Sequence, residues 1–560
     1  MATLDEMLLN DQAMRRHMYD VPHHPGEVEI SRLSLISPNN FSIAVDLQFV
    51  FSQIEIRENI FSPYVDGYIT ITDSVGLYER MPIIGEEFLH ITFKTKGATS
   101  EDEIDKIFRV VKVSAFNQDP ENPRVFVYTL EFKSIEYILN LKTKVQKTYK
   151  SKTTKEMAED IYDNYIKNHM SNGWFHDYTK DFLAEDTSND HNIVIPNMTP
   201  FDALTFLASR SKSADVESTG ASFTFFESLK YGYRFQSIES LMQNPSTFSY
   251  FQAPESIPEQ DFYKKFVHSS HNISEYSRIS PIKVDENLKN GMYANRLIAH
   301  NMLRMKYDIH DLHYLKPLRS GLGSRTFDRS TGAMVEEDPE NVLNDFGENI
   351  SSYSESKMEQ LVRSNVLNYY SFSNNSVVSA ASDVLNSPLS NVSLVSTNEG
   401  CQMKFGAGTD SNIFVKDPSI RDNDIEHWHS RRKMQGLLLN SFIYNIKVKG
   451  NTHRSVGDII NLDIPTSLNE EINSASQLSS GLRSNTLVSG NFIVTRLSHV
   501  FKRDSASTDH ILNLHIMRDS LSRKLPEPVN RNALIGPGMY TGDDPFEDQE
   551  NNIDTMKVIG

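Results

Sequence analysis

Cysteine is almost missing from this chain: Cys401 stands alone among 560 residues, which excludes an internal disulfide and a thiolate metal cage. Long apolar runs are missing too. No stretch reaches about eighteen consecutive apolar residues, so neither a membrane-spanning helix nor membrane insertion is expected. Asp5, Glu6, Arg15 and Arg16 break up the start of the chain, which leaves no signal h-region and makes the cytoplasm the expected site of synthesis. Positive charge is in deficit, with 56 Lys and Arg against 74 Asp and Glu, a net charge of -18. That balance argues against a surface built to grip nucleic acid and favours plain solubility. A sharper reading is an acidic channel through which nucleic acid slides without sticking.

What is present is ordinary for a folded protein: 38% hydrophobic, 10% aromatic and 23% charged residues supply enough apolar surface for real cores. The length exceeds what one core usually supports, so two to four domains are expected. Met7, Leu8 and Met14 suggest a short helix in an arm that ends at His23-His24-Pro25-Gly26. Phe41, Ile43, Val45, Leu47 and Phe49 then alternate as one face of a strand. Further strands are predicted at Tyr68 to Thr72, Phe88 to Phe93, Phe108 to Val113 and Val125 to Phe132, a density that points to a sandwich or barrel.

From about residue 150 the period turns helical. Thr153 and Glu156 form a capping box ahead of Met157, Ile161, Tyr162 and Tyr165, and Thr199-Pro200 opens a second helix facing inward through Phe201, Leu204, Leu207 and Ala208. A hairpin of Ser222 to Glu227 and Tyr233 to Ile238 turns with the help of Gly232. Shorter strands such as Ala294 to His300 follow, then Ser- and Asn-rich sequence over 321–410 that predicts long loops, a helix from Asp424 to Leu439, and an acidic tail after Pro526.

The most informative pattern is an internal echo. Phe108-Arg109-Val110-Val111-Lys112-Val113-Ser114 matches Phe492-Ile493-Val494-Thr495-Arg496-Leu497-Ser498. Downstream, the alternation of Tyr128, Leu130 and Phe132 matches that of Leu512, Leu514 and Ile516. Upstream, Gly85 with Glu86 and Glu87 and Gly457 with Asp458 each place a glycine turn and an acid before an apolar strand. Chance likeness of short amphipathic strands accounts poorly for three such matches in the same order.

The run from Ile60-Phe61-Ser62-Pro63-Tyr64-Val65-Asp66-Gly67-Tyr68 through Gly76-Leu77-Tyr78-Glu79-Arg80-Met81-Pro82-Ile83-Ile84-Gly85-Glu86-Glu87 resembles the central baseplate hub proteins of contractile-tailed bacteriophages. It is similar also to the N-terminal part of type VI secretion spike proteins. Pro196 to Ala208, Phe223 to Glu227, Gly232 to Phe235 and Gly450 to Ile464 continue the resemblance, while 321–410 match nothing in it. The resemblance implies a mainly β fold with an α+β insertion: two tube-like β-barrel or sandwich modules plus a small α/β domain. The corresponding division is an N-terminal arm (1–27), a first tube-like module (28–145), the inserted α/β domain (146–245), a connecting region with Ser/Asn-rich loops (246–410), a second tube-like module (411–525) and an acidic flexible tail (526–560).

It further implies a homotrimer whose six modules close a pseudo-sixfold ring in the virion tail baseplate, assembled in the host cytoplasm. Its partners would be tail tube subunits, the central spike protein and other baseplate proteins, with DNA passing through the channel without specific binding during genome ejection. Unpaired strand edges would be completed by neighbours in such a ring. Val110, Val113, Leu130, Val494, Leu497 and Leu514 mark the strands expected to join between subunits.

Catalytic patterns were sought and none is compelling. His427 with His429 and His310 with His313 lack a carboxylate-rich shell, Gly321-Leu322-Gly323-Ser324 lacks the lysine of a phosphate loop, and Cys401 has no histidine near it in sequence. The aromatics Phe223, Phe225, Phe226, Tyr231, Tyr233 and Phe235 could form a sugar or base platform, but core packing or an interface fits better. No enzyme activity, cofactor or metal is expected. A tail-associated peptidoglycan hydrolase, a type VI secretion spike component and a receptor-binding protein are the competing readings.

Overall fold

The computed structural model describes residues 24–279 apart from 40–43, 82, 97–102, 119–121, 123, 172–177, 189, 215–219 and 253–268, isolated stretches between 286 and 416, 425–465 without 441, and 488–519 without 504–507. The N-terminal arm before residue 24, most of 321–410 and the acidic tail lie outside the described residues, as do Phe41, Ile43 and Cys401.

The first half of the chain supplies β1 (Val28–Ile36), β2 (Ala44–Asp46), β3 (Phe51–Asn59), β4 (Asp66–Asp73), β5 (Phe88–Thr95), β6 (Ile104–Gln118) and β7 (Phe126–Ser134). Alternation decides which face is buried. Ile69 and Ile71 of β4 and Tyr128, Leu130 and Phe132 of β7 point into one core, each fully shielded from water. Each such burial contributes about 1.5–3 kcal/mol.

The single strand expected through Phe49 is instead broken. β2 ends at Asp46, whose Oδ1 accepts from Gln48 N at 2.8 Å, and the Leu47 carbonyl accepts from both Val50 N and Phe51 N. This Asx-type turn keeps Leu47 buried, throws Phe49 out to 78% exposure, and restarts the alternation one strand later. The restarted strand is β3, where Phe51, Ile54, Ile56 and Glu58 face inward.

Two small sheets and several helices lie between β7 and the second half: β8 (Val145–Lys152) with β10 (His191–Met198), and β9 (Phe182–Ala184), β11 (Phe223–Ser228) and β12 (Gly232–Ser237) together. The predicted caps are formed. Thr153 Oγ1 accepts from Glu156 N at 3.2 Å at the head of helix Thr154–Tyr162, and Thr199 Oγ1 accepts from Asp202 N at 3.3 Å at the head of helix Pro200–Ala208. Phe201, Leu204, Phe223, Phe225, Tyr233 and Phe235 fill the core between them. The hairpin aromatics are therefore packing residues, and Tyr231, beneath the Arg234 guanidinium at 4.4 Å, is the exposed member.

β13 (Ser246–Phe251) and β14 (Ile273–Arg278) come next and belong to the second half's sheet, within the stretch expected to be merely connecting. Among the described residues seven strands follow: β15 (Ala294–Asn301), β16 (Lys306–His313), β17 (Arg325–Asp328), β18 (Ala333–Glu336), β19 (Val392–Thr397), β20 (Met403–Lys404) and β21 (Val415–Lys416). The predicted helix appears as Ile425–Leu439, ahead of β22 (Phe442–Lys449), β23 (Ile459–Asp463), β24 (Gly490–Arg503) and β25 (Thr508–Arg518). No helix among the described residues is long and apolar enough to cross a membrane. The protein is mostly β, and the main sheet is an open path from β14 to β2 rather than a barrel closed within one chain.

The two halves repeat each other strand for strand. The first runs β3-β4-β7-β6-β5 and the second β14-β22-β25-β24-β23, every neighbour antiparallel in both. Registers agree as well. Val110 opposes Phe132 as Val494 opposes Ile516, and Val113 opposes Leu130 as Leu497 opposes Leu514.

A bulge interrupts β6 between Val110 and Lys112, and another interrupts β24 between Val494 and Arg496, the same place in the repeat. The outer strands bulge alike, between Phe51 and Gln53 and between Ile273 and Glu275. Before β5 and β23, Gly85 (φ 88°) and Gly457 (φ 86°) take the left-handed turn that side chains resist. Next to them Glu87 O accepts from Val110 N and Asp458 O from Val494 N. The sixth strands differ: β1 is antiparallel to β5, whereas β13 is parallel to β23.

Candidate assembly interface

Among the described strands one pair joins the halves, beside an isolated bridge between Glu27 and Asp509. β24 and β3 run antiparallel from Arg496 opposite Asn59 to Lys502 opposite Gln53, which makes a continuous sheet of the two repeats. Apolar side chains line the seam, with Ile54, Ile56, Val500 and Phe501 buried. A polar cluster sits among them. Glu58 Oε2 accepts from Leu229 N at 3.0 Å and Ser455 Oγ at 3.1 Å, while Glu58 Oε1 lies 3.3 Å from His499 Nε2. His499 Nδ1 is 3.0 Å from His510 Nε2, and burial followed by the neighbouring His499 pushes the His510 imidazole well below its usual range.

Glu58 thus ties β3 to β24, to the Ser455 turn and to the hairpin at Leu229. The grouping of Ser455, Glu58 and His499 is not a catalytic one. Ser455 Oγ donates to the carboxylate rather than to the imidazole, and all three side chains are sealed from substrate.

A second buried ionic group docks the small sheets onto the first repeat. Lys180 Nζ lies 2.7 Å from both Glu136 Oε2 and Glu227 Oε1, and Glu227 Oε2 accepts from Ser134 Oγ and, at 3.0 Å, from Val65 N. Burial alone would lower the Lys180 amine, but the two carboxylates hold it above its ordinary value, whereas burial raises Glu136. A cleft of about 450 Å3 opens beside this group, lined by Lys106, Tyr178 and Lys230 among others. Burial and the charge of Lys180 depress the Lys106 amine. With Lys180 committed to Glu136 and Glu227, the cleft's buried charge serves docking within the chain. Among the described residues no group of three or more His, Cys, Asp or Glu could hold a metal ion.

The six residues expected to mark intersubunit strands fall in four strands. Val110, Leu130, Val494, Leu497 and Leu514 are buried in the chain's own cores, and half-buried Val113 packs against the first of them. β7 lies between β4 and β6, β25 between β22 and β24, and β24 between β25 and the pair β23 and β3. These three strands have neighbours from the same chain on both sides. β6 differs: past Arg109, which faces the first residue of β5, only β7 pairs with it among the described strands.

The chain is similar in structure to phage tail proteins and to type VI secretion components. It overlays on the tail protein from Neisseria meningitidis with a TM-score of 0.44 and 9% identity, covering 88% of this chain and 99% of that one. For the 43 kDa tail protein of prophage MuSo2 from Shewanella oneidensis the values are 0.42 and 8%, over 89% and 100% of the two chains. For an E. coli component of the type VI secretion system they are 0.34 and 8%, over 90% and 79%. No family model and no curated protein matches the sequence.

Sequence reasoning missed Glu58, His499, His510, Lys180, Glu136 and Glu227. For three of them a signal existed. Glu58 continues the inward series Ile54, Ile56, and His499 stands between Leu497 and Phe501 as His510 stands before Leu512 and Leu514. A charged or titratable residue on the apolar face of a strand must find a buried partner.

Proposed function

We propose that the chain is the structural hub of a contractile phage-tail baseplate, in which three copies form a pseudo-sixfold ring that joins the tail tube to the central spike and encloses the DNA channel. The single observation that carries this reading is the duplication: two repeats with one strand order, with registers that agree from Val110 to Ser114 and from Val494 to Ser498, and with a matching bulge in each of those stretches. A chain with two equivalent units brings six units when it trimerises, so a threefold spike and a sixfold tube can share one axis. In this reading the repeats are the tube-like modules, 28–145 and 411–525, with β13 and β14, which pair with β23 and β22, added to the second.

Three copies carry three times -18, or -54. A lining that shares this excess repels phosphate at close range, so DNA passes without being held. The partners in this reading are tube subunits, spike and surrounding baseplate proteins, and the role is structural.

Antibody labelling of intact particles tests the placement. Label at the baseplate end of the tail is expected, and label elsewhere on the particle would contradict it. The competing hydrolase reading predicts clearing of a cell-wall gel by the purified chain, whereas the structural reading predicts none.

A further inference from the structure

The occupied seam within the chain has an unoccupied counterpart. By register β6 is the equivalent of β24 and β14 the equivalent of β3: Lys112 corresponds to Arg496 and Ser114 to Ser498, while Tyr276 corresponds to Ile54. Residues 496–502 of β24 hold β3. The corresponding stretch of β6, from Lys112 to Asn117, has a further bulge between Ser114 and Asn117 that β24 lacks and, among the described residues, pairs with β7 alone, while β14 over Glu275 to Ser277 pairs with β22 alone.

Burial follows occupancy. At the seam Ile54 is fully buried and Val500 and Phe501 are 5% and 1% exposed, whereas Tyr276, at the position of Ile54, is 42% exposed. Ile279, just past β14, is 47% exposed, and Phe116 of β6 is 45% exposed beside half-exposed Tyr78. Both strand edges thus carry the apolar side chains that an added strand would cover, and bare edges of this kind are otherwise a liability.

We propose that β6 of one copy pairs antiparallel with β14 of the next, repeating the β24–β3 seam with Ser114 opposite Ile279, as Ser498 is opposite Arg57. This inference rests on the ring reading and names its joint. The contact is head-to-tail: each copy offers β6 on one side and β14 on the other, so identical joints propagate until the ring closes. Chain-internal seams and copy-to-copy joints then alternate around the ring.

The test uses the full chain with Cys401→Ser, so that introduced cysteines are alone. Ser114→Cys combined with Ile279→Cys places thiols on directly opposed residues, whose Cα spacing of about 4.5–5.5 Å suits a disulfide. Oxidation is expected to give covalent species of up to three chains on a denaturing gel, with neither single variant doing so. A register control, Ser114→Cys with Ser277→Cys, is expected to crosslink at least about tenfold less. Tyr276→Pro is expected to turn rings into monomers with the thermal midpoint little changed, because Ile279 N donates inward to Ile443 O and the Tyr276 N–H, of opposite parity, faces the edge that is unpaired among the described residues.

Native mass spectrometry of the same samples separates the two possible failures. Three-chain rings without the Ser114–Ile279 crosslink would overturn this joint and leave the ring standing. Monomers without crosslinks would overturn both.

Discussion

His499 and Glu58 meet across the seam between the two repeats, Nε2 to Oε1 at 3.3 Å with both side chains fully enclosed. Glu58 comes from β3 and His499 from β24, so the contact belongs to neither repeat alone. Because Glu58 also accepts from Leu229 N and Ser455 Oγ, removing it strands donors on three elements.

Glu58→Ala is therefore expected to destabilise the fold by about 3–5 kcal/mol, the range for breaking a buried pair. Glu58→Gln, which keeps an acceptor for Leu229 N, should cost clearly less. Urea unfolding of the two variants beside the parent checks the order.

Acid should weaken the same region. Folded His510 binds a proton less readily than it does in the unfolded chain, and His515, pushed down to about 4 by burial and then by Arg496, does likewise. Depressed folded values mean that this stability is complete above about pH 6.5, the ordinary histidine range, and is lost as pH falls below it. Asp458, raised to about 6 by burial, acts oppositely, its contribution being lost as pH rises toward 6. His510→Asn isolates the first effect: the drop in urea midpoint between about pH 6.5 and 4 should shrink relative to the parent.

Lys180 offers a test of compensation. Lys180→Met leaves Glu136 and Glu227 buried without their cation and should cost about 3–5 kcal/mol. Adding Glu136→Gln and Glu227→Gln should recover much of that loss, measured by thermal unfolding. Independent, additive losses from the three changes would contradict a single ionic group.

Gly85 and Gly457 occupy the same left-handed position in the two repeats. Gly85→Ala and Gly457→Ala should each cost about 1–2 kcal/mol, and the double variant should cost their sum because the sites share no contact. Guanidinium unfolding of the three proteins measures it.

The repeat was legible because its central strands are buried on one face, so Val110, Leu130 and Phe132 and their counterparts Val494, Leu514 and Ile516 had to alternate. Its outer strands were not. β14 reads Ile-Ser-Glu-Tyr-Ser-Arg, and only Ile273 is buried, so no periodic apolar signal marks it. β3 was hidden differently. The alternation through Phe49 drew the strand too early, and the turn at Leu47 restarts it at Phe51, on whose buried face Glu58 lies. Lys180 gave no signal at all, since its partners are supplied by elements 44 and 47 residues away in sequence.

The most direct test of the central claim is the solution mass of the purified chain together with class-averaged images viewed down the symmetry axis. The account predicts three chains of 63.9 kDa each in a ring with six lobes. A ring whose lobes equal its chains in number, or a particle with unpaired strand edges facing solvent and no ring, would contradict it.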